Sequence, residues 1–173
     1  MNVQIVNKSK FELPKYATIG SSGMDLKVDL NRKIDIIGRI DYNYESKTIL
    51  NENNEAFSLI RSIVIHPQTR CIIRTGLFIK LPNGYEAQIR PRSGTSFKKG
   101  LSVLNSPGTI DCDYTGEIGI IVGNFTNIPI EIEHGERLAQ MVVSTYLVIN
   151  LEETDQLEKT ERGEGGFGHT GVN

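Results

Sequence analysis

The sequence predicts an all-β protein, a jelly-roll-like antiparallel sandwich or barrel, and three observations lead there. Short runs of β-branched and aromatic residues recur along the chain, and Pro, Gly and Asn turns interrupt them about every ten residues. No segment of useful length repeats apolar residues at the helical period, a single turn at 92–100 excepted. Strands of that kind bury one face each by closing on themselves or stacking in two sheets. With 173 residues, 38% hydrophobic and 23% charged, the chain is expected to form one domain with a continuous core. A formal net charge of −2 argues against nucleic-acid coating and against membrane-surface binding, which both need a basic surplus. The first residues lack an apolar h-region and no run reaches transmembrane length, so a cytoplasmic protein is expected. Cys71 and Cys112 are too few for a disulfide framework, and no His/Cys cluster has zinc-ligand spacing.

Taken in order, residues 3–6 alternate like a strand, and Leu13-Pro14 opens a loop of small residues ending at Gly20-Ser21-Ser22-Gly23. Alternation in Met24 to Leu30 turns Met24, Leu26, Val28 and Leu30 inward and leaves Asp25 outward. From about 31 to 61 the pattern loosens, which reads as one extra hairpin followed by a mobile loop around Asn51–Glu55, with no chemical constellation of its own. Strands resume at Ser62–His66, Cys71–Lys80 and Tyr85–Arg90, then at Ile128–Glu133 and Arg137–Ile149. Residues 1–151 are thus expected to form the β domain, and 152–173 a mobile glycine-rich arm.

Between these lies Leu104–Glu117, where chemistry concentrates. Pro107-Gly108 predicts a type II turn with positive φ at Gly108, flanked by paired strands at Leu101–Asn105 and Thr109–Ile110. Asp111 and Asp113 are two apart, so an extended backbone sets both on one face, where close carboxylates resist ionising together and one becomes a candidate general base. From spacing alone, Asp-x-Asp-Tyr equally well just ends a strand. Upstream, Arg90–Gly100 gathers guanidinium, hydroxyls, a glycine and two ammonium groups, a composition that grips phosphate or forms a basic surface turn. It lacks Walker A spacing. Near the end, Gly163-Glu164-Gly165-Gly166-Phe167-Gly168 matches the dinucleotide fingerprint formally, but neither the following helix nor the later acidic residue has room. An arm with a cation at Arg162, an aromatic plate at Phe167 and polar groups at His169 and Thr170 remains, suited to closing over a nucleotide.

Together these segments resemble the trimeric dUTPase family, and most closely its bacterial and phage members. Five segments carry the resemblance, in the family's order: Ser22–Leu26, Arg90–Gly94, Gly108–Glu117, Gly135–Gln140 and Arg162–Gly171. The resemblance implies cleavage of dUTP to dUMP and pyrophosphate, with Asp111 activating the water that attacks the α-phosphorus. It implies that Arg92, Ser93 and Gly94 bind phosphate, and that Asn105 with the Gly108, Thr109 and Ile110 backbone reads uracil. Tyr114 would lie under the deoxyribose. Arg162, Phe167, Gly168, His169 and Thr170 would close the arm, while Asp25 and Gln140 hold waters around a Mg²⁺ carried mainly by the substrate phosphates. A homotrimer with shared sites is implied as well. Two departures stand out: the 31–61 insertion, where an unknown protein partner could dock, and His169 where the family often has Ser. Two other readings are a dCTP deaminase and a dUTPase-fold regulatory binding protein.

Overall fold

The computed structural model describes residues 1–50 and 56–166, with side chains for all of these except 46–50, 56 and 57. The expected all-β fold is present: among the described residues the strands are joined by turns and one short π-helical turn, Thr95–Lys99. In the first sheet, β1 (Gln4–Asn7) and β3 (Asp35–Ile37) pair successively along one edge of β6 (Arg70–Lys80). Its other edge takes β10 (Glu117–Asn124), which also pairs with β8 (Leu101–Val103). A second sheet runs β2 (Met24–Lys27), β12 (Arg137–Thr145), β7 (Tyr85–Pro91), β9 (Gly108–Ile110). The third runs β11 (Ile130–Glu133), β5 (Ala56–Ile65), β4 (Ile40–Leu50). Every pairing is antiparallel.

Alternation builds the core. Ile118, Ile120 and Val122 of β10 point inward with Ile73, Ile63, Ile65, Ile132 and Leu138, all of them buried. As the pattern predicts, Leu26, Val28 and Leu30 are fully buried, although β2 ends at Lys27. Cys71 fills this core as a free thiol, and burial pushes it up to about 12.

Four expectations are corrected. First, residues 31–61 are more than the expected extra hairpin, which is present as β4–β5: β3 also covers part of the β6 edge, and Ile34, Ile40, Tyr42 and Ile60 pack half-buried against the core. The strand expected at Ser62–His66 is the second half of β5, and the loop at 51–55 lies outside the described residues. Second, β8 and β9 do not pair with each other; the chain crosses between sheets there, as sandwich strands do. Third, Ser106-Pro107 is cis and Gly108 has no positive φ; it begins β9, where an added Cβ would lie 2.9 Å from Asn105 Nδ2 and 3.4 Å from Ile89 Cβ. Its glycine serves close approach. Fourth, β12 stops at Thr145, four residues short of the expected Ile149, and Leu147, Val148, Ile149 and Leu151 stand exposed.

Candidate active site

β12 lies between β2 and β7, and this order gathers one group of candidates. Gln140 is opposite Asp25 on one side and Arg90 on the other. Arg92 Nε donates to Asp25 Oδ1 at 2.7 Å and Arg137 Nη1 to Asp25 Oδ2 at 3.2 Å, so both carboxylate oxygens are engaged. Arg92 Nη1 also donates to the Arg137 carbonyl (3.0 Å), leaving Nη2 without a partner among the described residues. Gln140 Nε2 donates to the Pro91 carbonyl at 3.0 Å. Its Oε1 lies against Gly23, 2.5 Å from where a Cβ would be. Asp25, Arg137, Gln140 and the Gly20–Gly23 loop line a cavity of about 680 Å³. Ser93 and Gly94 are exposed at the start of the π-helical turn. Of the two ammonium groups beyond them, Lys99 is committed elsewhere, to Glu136 Oε1 at 2.6 Å and the Glu131 carbonyl at 3.0 Å.

The second group follows β9. The backbone leaves the extended state after Ile110, and the Tyr114 N–H donates to the Asp111 carbonyl (3.1 Å), closing a turn with Asp in its preferred first position. Asp111 and Asp113 therefore do not share a strand face, and the pairing argument from their spacing falls. Both carboxylates and Tyr114 are exposed. The Tyr114 ring folds over Gly116, and its hydroxyl donates to the Glu117 carbonyl at 3.2 Å. Asn105 is exposed beside Gly108; on β9 Thr109 is exposed and Ile110 packs half-buried against the core.

The two groups sit at opposite ends of β7. Ile110 pairs with Ala87, so Asp111 follows at the Glu86 end, whereas Arg92 lies just beyond Pro91. Six residues of strand separate those ends, about 20 Å at ~3.3 Å per residue. Arg162 turns back on its own loop, Nε donating to the Gly165 carbonyl at 2.8 Å. Phe167, Gly168, His169 and Thr170 lie outside the described residues.

Sequence reading missed Arg137 as a partner of Asp25, although a cation inside the fourth segment was a visible signal. It missed too the bidentate pair between Arg32 and Glu117, with Gly76 N–H donating to Glu117 Oε1 at 2.8 Å. Nothing in a one-dimensional pattern marks a pair 85 residues apart.

A model of the dUTPase family matches residues 56–171. The chain is 43% identical over 171 residues to the deoxyuridine 5'-triphosphate nucleotidohydrolase of Finegoldia magna, covering 99% of both chains. Among solved structures, the Staphylococcus bacteriophage 80alpha dUTPase with dUPNHPP superposes with a TM-score of 0.73 at 24% identity, over 99% of each chain. A mutant dUTPase from phage phi11 of S. aureus, whose structure details the coordination of a structural Mg(II) ion, gives 0.66 at 19% identity, over 92% of this chain and 100% of that one.

Proposed function

The chain belongs to the dUTPase family and hydrolyses dUTP, and from this premise we propose that it releases dUMP and pyrophosphate at sites assembled between subunits of a homotrimer. The separation of Arg92 and Asp111 along β7 carries this reading. A triphosphate attacked at its α-phosphorus beside Asp111 is far too short to reach Arg92, Ser93 and Gly94 of the same chain, so the phosphate grip comes from a neighbour. The exposed run Leu147–Leu151 supports a crossing arm, since an apolar stretch of that kind needs cover. Residues 152–173 then act as the arm, and Arg162, Phe167, Gly168, His169 and Thr170 close over the nucleotide of another subunit.

In the mechanism, Asp111 accepts a proton from water and aims its oxygen in line with the leaving pyrophosphate. Tyr114 supports the deoxyribose and fills the space of a 2′-hydroxyl, while Asn105 and the Gly108–Ile110 backbone hold the uracil edge. Among the described residues no cluster of His, Cys, Asp or Glu could hold a metal by itself. Asp25, already paired with two guanidinium groups, and Gln140 fit Mg²⁺ only as outer partners through water. When bound by the substrate phosphates, Mg²⁺ neutralises their charge and fixes the triphosphate geometry. We place this activity in the cytoplasm.

The two other readings gain no support. The hydrolase relatives match across nearly the whole chain, and part of the 31–61 segment offered as a regulatory contact is tied to the frame through β3 and the Arg32–Glu117 pair. Incubation with dUTP, dTTP, dCTP and UTP in Mg²⁺, with products resolved, tests the proposal. The expectation is dUMP and pyrophosphate from dUTP alone, and a rate that collapses on chelation. Orthophosphate release, or equal turnover of dTTP, would overturn it.

A further inference from the structure

The Asp111 turn is held at one residue, Cys112. Its carbonyl accepts from Lys80 Nζ at 3.0 Å, and its thiol lies 3.8 Å from Asn83 Oδ1 and 3.5 Å from the Tyr146 hydroxyl. With the thiol donating to Asn83, the Tyr146 O–H is the group that donates to sulfur. Tyr146 is the first residue beyond β12, and its own N–H donates to the Gly84 carbonyl at 3.1 Å. The root of the arm is thereby pinned at both main chain and side chain, against the β6–β7 connection and against the neighbour of Asp111. The phenol is raised above its ordinary value, first of all by its hydrogen bond to Cys112.

We propose that Tyr146 is a positioning residue, its hydroxyl bracing Cys112 so that the Asp111 carboxylate is held where it can take a proton from the attacking water. This rests on Asp111 being the base. The brace also means that the arm sets out towards its neighbour from the same point that steadies the base of its own subunit.

Tyr146→Phe, Cys112→Ala, Cys112→Ser and the double variant Tyr146→Phe/Cys112→Ala, in the full-length protein, test it by steady-state dUTP cleavage and thermal unfolding. Tyr146→Phe and Cys112→Ala are each expected to lower kcat on the order of tenfold, as loss of orientation does, with KM for dUTP and the unfolding midpoint unchanged. The double variant should be no worse than either single one, because both remove the same contact. Cys112→Ser, which returns an acceptor to the phenol, should recover most of the loss. Wild-type kcat in Tyr146→Phe, losses that multiply in the double variant, or a Cys112→Ser as poor as Cys112→Ala would each overturn the brace. Asp111→Asn in the same assay separates the two ideas. If it keeps its kcat, the base assignment fails; if it is inactive while Tyr146→Phe is untouched, the brace alone fails.

Discussion

Gly23 and Gln140 meet so closely that a methyl group decides the geometry of the phosphate side. A Cβ at 2.5 Å from Oε1 forces the amide to swing away and to give up its bond to Pro91. Gly23→Ala is therefore expected to raise KM for dUTP severalfold while costing only about 0.5–1.5 kcal/mol of stability, the net worth of one hydrogen bond; kinetics and thermal unfolding measure the two. At Asp111, Asn keeps the shape and can orient water but cannot accept its proton. A loss on the order of 10²-fold or more in kcat is expected, with binding of a non-hydrolysable dUTP analogue kept. Tyr114→Ala should raise UTP turnover relative to dUTP, and an unchanged ratio would move sugar discrimination elsewhere. Asp111 and Tyr114 stand out in the sequence because each sits in a short segment whose residue types suggest a chemistry. The Asp25–Arg137 pair, the Cys112–Tyr146 contact and the reason for Gly108 do not, since each depends on which strands become neighbours.

Residues 31–61 show how an element can look like an appendage in sequence and act as part of the frame. Arg32 meets Glu117 in a bidentate pair whose carboxylate side chain is only 11% exposed. Arg32→Ala strands that carboxylate beside a single amide donor, and a loss of about 1–3 kcal/mol is expected in chemical denaturation. Replacing 46–57 by a short turn should leave kcat within a few-fold, whereas replacing all of 31–61 also removes β3 and Arg32 and should lower the unfolding midpoint sharply. Acid acts on the same element. The hydrogen bond from Lys33, and then that from Arg74, hold the Asp35 carboxyl below its ordinary 3.8, and His66 followed by Arg39 does so for Asp41. Because both folded values are depressed, the stabilisation is complete above about pH 3.8 and fades as pH falls through the lowered values. Asp35→Asn with Asp41→Asn should flatten the fall of the unfolding midpoint below that pH, by a small amount because water reaches both carboxylates and screens their pairs. The period-two pattern revealed the strands; it could not reveal that β8 and β9 part company, because pairing partners are chosen by packing across sheets.

At the scale of the whole molecule, the proposed sharing of sites makes a quantitative statement. A subunit carrying Asp111→Asn and one truncated before Arg162 should each form nearly inactive rings. In a mixed threefold ring there is always one junction where an intact base meets an intact arm, so one site in three works. Random assembly from equal amounts gives roughly three quarters mixed rings, and cleavage should return to roughly a quarter of wild type under cyclic symmetry. No recovery, with mixed trimers confirmed by mass, would mean that each arm serves its own subunit. The all-β architecture was legible throughout, since alternation and turns recur along nearly the whole chain; the separation of Arg92 and Asp111 on which the proposed sharing rests was not, because it depends on how β9 pairs with β7. The paired edge of β6 has one more consequence. β1 covers Leu77–Lys80 and β3 covers Arg70–Ile72, while the carbonyls between accept from Asp29 N–H at Arg74 and Lys8 N–H at Gly76. An eleven-residue strand with three Ile, a Leu and a Phe is thus denied to other chains, and loss of β3 would bare a template for intermolecular pairing, so that a variant lacking it would be marked first by fibrillation or precipitation on storage.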